Sequence, residues 1–276
     1  MSNRSAAWPW VVLGVAVVGG AGWWLFRDDL KPAVPQASPM ETRVPAGDPR
    51  GAVPTVPVPG PQTQLPPVRD ASADADLPAL EDSDAMAGKE LSALFAGDVL
   101  ALLRQDHLIQ RLVTHVDNLD QPVLPPTALA VRPLPGSLQV QGDAGSTTMH
   151  IADAGNAARY APWVKAFTSV DANAMVAAYL RLYPLVQEAW RQVGHPDGQF
   201  NRRLVVVIDH LLQAPEPLRP VEVELDERGR YRFVDPGLQA CSAGQKLLLR
   251  LDAEQSQAVR RQLRAIRQAV TRGSGE

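Results

Sequence analysis

A single cysteine, Cys241, excludes an intramolecular disulfide framework whatever compartment the chain occupies. Beside an apolar stretch and with no histidine near it in sequence, the thiol reads as buried and inert rather than nucleophilic. A basic excess is also lacking. Lys and Arg number 27 against 30 Asp and Glu, a formal net charge of -3, whereas a nucleic-acid binder carries a strong positive surplus. The chain has no glycine-rich phosphate loop, no zinc-type Cys/His spacing and no Gly-x-Ser-x-Gly elbow. No catalytic residue, cofactor or metal ligand is therefore assigned from motifs, and an enzyme would need groups converging from distant segments.

Charge is missing most completely between Trp8 and Phe26, a run of 19 residues bounded by Arg4 before it and Arg27, Asp28, Asp29 and Lys31 after it. At a helical rise of about 1.5 Å per residue such a run reaches roughly 28 Å, close to the hydrocarbon thickness of a bilayer. Trp8 and Trp10 stand at one end and Trp23 and Trp24 at the other, where amphipathic rings rest at the headgroup boundaries. The expectation is a single transmembrane helix over 8–26. A cleaved secretory signal is the competing reading, with Val11 to Val18 as its core and Gly19-Gly20-Ala21 at the cut. Against it, the apolar run continues through Trp23, Trp24, Leu25 and Phe26. Arg27 and Lys31 oppose a simple positive-inside count, although Asp28 and Asp29 accompany them. The expected orientation keeps residues 1–7 cytoplasmic and exports the C-terminal bulk.

Residues 27–76 read as a proline-rich, disordered linker. Repeats such as Val53-Pro54-Thr55-Val56-Pro57-Val58-Pro59 have no helical or strand period, lack many backbone donors and favour extended polyproline II conformations. At about 3.1 Å per residue the stretch 32–67 has an upper reach of roughly 100 Å, which makes it a spacer. A ligand for a proline-binding groove is the weaker reading, since only Arg50 and Arg69 flank it. The acidic run Asp70, Asp74, Asp76, Glu81, Asp82 and Asp84 is a solvated lead-in that also suits the positive end of a first helix.

Residues 77–270 form the expected domain, mainly α, with two short β-hairpins in an α+β arrangement, and 271–276 a disordered tail. Asp82 or Ser83 is expected to cap a helix toward Phe95, and Gly97 separates it from a segment to Leu103. Leu108, Leu112, Val116 and Leu119 make one amphipathic face that ends near Asp117. A first hairpin is expected from 138–140 and 149–151. Pro162 suits the first turn of a helix from Tyr160 to Ser169. Asp171 caps the next, broken near Tyr183 by Pro184. A helix follows over Phe200–Leu212. The alternation of Val221 to Leu225, answered by Tyr231 to Phe233, makes a second hairpin. Ser242 to Leu251 and a helix begun by Asp252 complete the domain, with Val259, Leu263, Ile266 and Val270 facing inward.

These segments resemble domain-of-unknown-function family 3014. The resemblance rests on Val116-Asp117-Asn118-Leu119, Arg159-Tyr160 and Tyr179-Leu180-Arg181-Leu182-Tyr183-Pro184. It is strongest in His195-Pro196-Asp197-Gly198, Phe200-Asn201, Val207 to Leu212, and Ser242 to Arg250. It covers nearly the whole domain and neither the anchor nor the spacer. It implies a membrane-tethered envelope protein and supplies no catalytic residues. Arg202 departs from the acidic residue expected after Asn201.

Candidate residues come from polar groups near those segments. Asp209 and His210 are adjacent on a helix, so their side chains diverge by about 100° and form no dyad with each other. Asp209 shares an edge with Arg202 and is expected in a structural ion pair rather than as a general base. His107 and His115 lack a third ligand one turn between them, a weak metal signal. Tyr160, Tyr179, Tyr183 and Trp190 read as core. Arg260, Arg264 and Arg267 follow i, i+4, i+7 and could meet an anionic lipid head or acidic polymer, against the plain reading of a solvated face. The reading is a non-catalytic interaction or scaffolding module, anchored by Trp8 to Phe26, with an envelope protein or anionic envelope component as partner and no nucleic acid. The alternative is a periplasmic hydrolase of cell-wall or lipid material using Asp117, Arg159, Asn201 and Asp209. An enclosed cleft where these converge would favour the hydrolase, and a packed domain with an exposed patch would favour binding.

Overall fold

The computed structural model describes residues 77–273 apart from 96, 126, 127, 133, 135 and 144–146. The apolar run 8–26, the linker to residue 76 and the last three residues lie outside the described residues. Among the described residues no helix is long and apolar enough to cross a membrane. The arrangement is mainly helical with one small antiparallel sheet.

A 3-10 turn at Leu80–Asp82 leads into α1 (Asp84–Ser92). The expected cap from Asp82 or Ser83 is not formed: Ser83 has helical backbone angles, φ -77° and ψ -12°, where a cap needs an extended residue, and its hydroxyl donates backward to the Leu80 carbonyl at 2.7 Å. The cap function appears elsewhere. After the short α2 (Gly97–Leu100), α3 (Leu108–Asp117) has no cap of its own, and the Asp84 carboxylate accepts from the amides of His107 and Leu108 at 2.8 and 2.7 Å. Leu108, Ile109, Leu112, Val113 and Val116 form the buried stripe of α3.

Helix α4 (Asp153–Ser169) starts seven residues before the expected Tyr160, so Pro162 lies within it and not in its first turn. The early turns carry no apolar stripe and are held instead by Asn156. Its buried amide donates to the carbonyls of Gln139 and Ala152 and its oxygen accepts from Gln139 N. Pro162 leaves the Ala158 carbonyl without a helical donor, tolerable because both residues are exposed. Asp171 caps α5 (Ala172–Arg181) by accepting from Ala174 N at 2.8 Å, and the chain breaks at Leu182 before α6 (Tyr183–Gln192) with Pro184 in its first turn. Helix α7 spans Phe200–Leu212.

Both hairpins form, β1 (Val140–Gln141) with β2 (Thr148–Ile151) and β3 (Glu222–Leu225) with β4 (Tyr231–Phe233). They also join, because β2 pairs with β3 in the register Met149 to Val223, giving one sheet in the order β1-β2-β3-β4. A short α8 (Pro236–Gln239), capped by Asp235, precedes α9 (Ala243–Arg250) and α10 (Ala253–Gly273). Helix α10 continues through residues 271–273, so the expected tail is shorter at its start.

All eight residues of α9 are buried. Leu247 and Leu248 join the large helical core, Leu249 joins the cluster of Ile151, Val221, Val223 and Phe233 beneath the sheet, and Ala243 packs with Leu124, Ala128 and Leu129. This helix is the shared wall of three apolar clusters, and α10 closes the other side against α4, α5 and α7.

Candidate functional site

A dense polar grouping lies where the end of α3 meets α7 and the start of α9. Arg203 of α7 donates Nε to Asp117 Oδ1 at 2.7 Å, and Nη1 and Nη2 to the two carboxylate oxygens of Asp120 at 2.7 and 2.8 Å. Burial acts against the charge of Asp120, and the Arg203 hydrogen bonds outweigh it, so its carboxyl lies below the ordinary range. Arg203 is likewise penalised by burial and raised by its two carboxylates. Asp117 also approaches His195 Nε2 at 3.5 Å, and that imidazole stacks flat on Trp190, with ring centroids 3.7 Å apart and planes 8° apart.

On the other side of Asp120, His210 Nε2 lies 2.9 Å from Ser242 Oγ. Burial pushes the imidazole below its ordinary value, with Asp120 acting in the opposite sense and Arg203 in the same sense. A serine, a neutral histidine and a nearby carboxylate are the parts of an acyl-transfer site, but they need free amide donors for the oxyanion. The amides that follow Ser242 are engaged. Ala243 N donates to Gln121 O at 2.7 Å, Gly244 N to Leu119 O at 2.9 Å, and Gln245 N to Ser242 Oγ at 3.2 Å. Gln245 Oε1 accepts from Ser242 N, completing a capping box, and its Nε2 donates to His210 O at 2.9 Å. A Cβ on Gly244 would stand 2.4 Å from Leu211 Cδ2 and 2.9 Å from Leu119 O. The α9 terminus is thus pressed into the fold as a joint, with Ser242 only 5 % exposed.

The residues marked in the sequence are distributed rather than gathered. Asp117 is in the Arg203 fork, and Asn201 is buried at the start of α7. Asp209 pairs with Arg267 of α10 through two hydrogen bonds, one of 2.9 Å, and not with Arg202, which is exposed. That bond raises Arg267, with burial opposing it. Arg159 donates to the Tyr160 hydroxyl at 3.1 Å and the Gly136 carbonyl at 3.3 Å, neither of them a member of the fork. Arg260 is 3 % exposed and donates to the carbonyls of Leu212, Ala214 and Pro215, closing the C-terminus of α7. The expected stripe of Arg260, Arg264 and Arg267 is therefore not one solvated face, and of the three Arg264 is the exposed one.

Other polar groups carry no motif. Arg250 is buried over the Phe233 ring, 5.7 Å from its centroid, and burial lowers it to about 10. Lys246, one turn earlier, is also lowered by burial and by Arg250. His115 is fully buried with Nδ1 3.0 Å from Ala128 O. Cys241 is partly buried, its thiol raised by that burial. Among the described residues no group of His, Cys, Asp and Glu is placed to hold a metal. Arg203, Asp120, His195 and Ser242 are not legible as a cluster in the sequence, because they lie on separate segments. The Asp-Asn and His-Pro-Asp-Gly segments were the available pointers.

A pocket of about 180 Å³ opens elsewhere, between the 215–219 loop and the start of α10, and contains none of Asp117, Arg159, Asn201 or Asp209. A family model described as a protein of unknown function, DUF3014, matches residues 108–267, more than half of the chain. Neither a curated protein nor a solved structure matches it.

Proposed function

Since the chain belongs to the DUF3014 family of proteins of unknown function, its activity has to be read from the domain itself, and we propose that it is a non-catalytic interaction or scaffolding module of the bacterial cell envelope. In this reading residues 8–26 hold it in the inner membrane, residues 27–76 are the spacer, and the domain stands on the periplasmic side. The observation that carries the reading is the use of its polar groups. Arg203, Asp117 and Asp120 tie α7 to α3, Asp209 and Arg267 tie α7 to α10, and Ser242 caps α9. Groups with these duties hold a surface in shape and leave recognition to what is exposed.

Proximity labelling from the full chain in intact cells should return the same envelope neighbours repeatedly. Recovery of nothing above bulk membrane background would sink the reading. A C-terminal reporter active only outside the cytoplasm should be active, and the mature chain should retain Trp8.

The 2.9 Å approach of His210 to Ser242 favours a second reading, a hydrolase of cell-wall or lipid material. Covalent labelling of the intact protein by a serine-reactive fluorophosphonate, lost in Ser242→Ala, would replace the first reading with this one.

A further inference from the structure

Helix α10 faces two environments. Val259, Leu263, Ile266 and Val270 are buried, whereas Gln257, Arg261, Arg264, Gln268 and Arg272 are all exposed. Their spacings of four, three, four and four keep them in one stripe about 22 Å long. From Gln255 to Gly273 the helix has five arginines and no Asp, Glu or Lys. Arg260 and Arg267 are engaged with the α7 carbonyls and with Asp209. Arg272 makes a long 3.4 Å hydrogen bond to Asn173. Among the described residues the side chains of Arg261 and Arg264 form no hydrogen bond or ion pair.

An exposed apolar side chain lies beside the head of this stripe. Arg260 fastens the loop after α7 to α10 through the carbonyls of Leu212, Ala214 and Pro215. Pro217 and Arg219 then face Ser256 and Gln257 across the 180 Å³ pocket. Leu218, between them, is 95 % exposed. Water gains nothing from a leucine held out on a fastened loop, and its transfer free energy remains available to an apolar partner. Two acids lie near the head of the stripe: Glu216, offset by Arg260 at 3.6 Å, and the exposed Glu254, one turn before Gln257 on the same face.

We propose that this edge, Leu218 with Arg261 and Arg264, docks the domain on an anionic lipid bilayer. The guanidinium forks meet lipid phosphates, for which their planar donor geometry is suited, and Leu218 enters below the headgroups. Two or three arginines and one leucine are too few to hold a free protein, since even a single acyl chain binds a membrane marginally. They suffice for a chain already tethered, because the anchor and spacer supply the bilayer at high effective concentration. This inference rests on the anchored reading above and names its surface.

The test uses the full chain in the Cys241→Ser background, with Leu218→Cys carrying an environment-sensitive dye. It is reconstituted in vesicles of phosphatidylcholine alone or with phosphatidylglycerol, each containing nitroxide-labelled lipid. Quenching of the dye is expected in the anionic vesicles only, and is expected to vanish in about 1 M salt, where the Debye length is about 3 Å. Arg261→Glu with Arg264→Glu should weaken it at least about tenfold, given roughly 1 kcal/mol per basic residue near such a surface. An unchanged thermal melt shows that this variant is folded. Equal quenching in both vesicles, or quenching that survives the double reversal, overturns the proposal. If it fails, proximity labelling of the same double variant separates the two readings. An unchanged set of envelope neighbours refutes lipid docking alone, whereas no recurrent neighbour even for the wild type refutes the interaction module as well.

Discussion

Asp209 and Arg267 face each other across the packed seam of α7 and α10 as a two-bond carboxylate–guanidinium pair, 58 residues apart in the chain. The side chains are 38 % and 35 % exposed, so water screens the pair. Asp209→Asn is expected to cost only about 0.5–1 kcal/mol in a denaturant melt, the range of exposed ion pairs with good geometry. A loss of several kcal/mol would show that the pair is shielded from water.

Arg203 differs because its fork joins two carboxylates, and all three side chains are about one-fifth exposed. Arg203→Met leaves Asp117 and Asp120 without their shared cation, and the expected loss is about 2–4 kcal/mol. Arg203→Lys recovers only part of it, since a single ammonium cannot reproduce the fork. Full recovery by lysine in chemical denaturation would show that charge alone matters there.

Gly244 is inside a helix, where alanine is normally favoured by about 1 kcal/mol. Gly244→Ala should nevertheless destabilise by about 1–3 kcal/mol, because the new methyl meets Leu211 and the backbone of Leu119. A rise in melting temperature would show that the α9 joint has slack.

His210 makes stability depend on pH. Its folded pKa lies below its ordinary value of about 6.5, so the unfolded chain takes up the proton first. The contribution is present above about pH 6.5 and is lost as pH falls through the lowered folded value. Asp120, also lowered, contributes above the ordinary carboxylate value and loses this at more acid pH. Melts from pH 7.5 to 3 should therefore show two declines, with His210→Gln flattening the upper and Asp120→Asn the lower. A His210→Gln profile parallel to wild type would refute the assignment.

Local chemistry was legible wherever one residue acts on its own few neighbours. The Asp171 and Asp252 caps, the break before Pro184, the stripe of α3 and both hairpins follow from side-chain oxygens, a missing N–H and apolar spacing. Helix α4 was not legible over 153–159, because Asn156 holds it through Gln139, which belongs to a different segment.

The sequence by itself determined a mainly helical domain with two hairpins, because periodicity, caps and proline act within a turn or two. Only the tertiary structure decided that the hairpins share a sheet, that Asp84 caps α3, that Asp209 selects Arg267 over Arg202, and that Arg260 turns inward while Arg261 and Arg264 stay in water. Each of those outcomes depends on a donor or acceptor brought close by packing. For Arg260 it is the open carbonyls at the end of α7, which no helical periodicity in α10 can reveal.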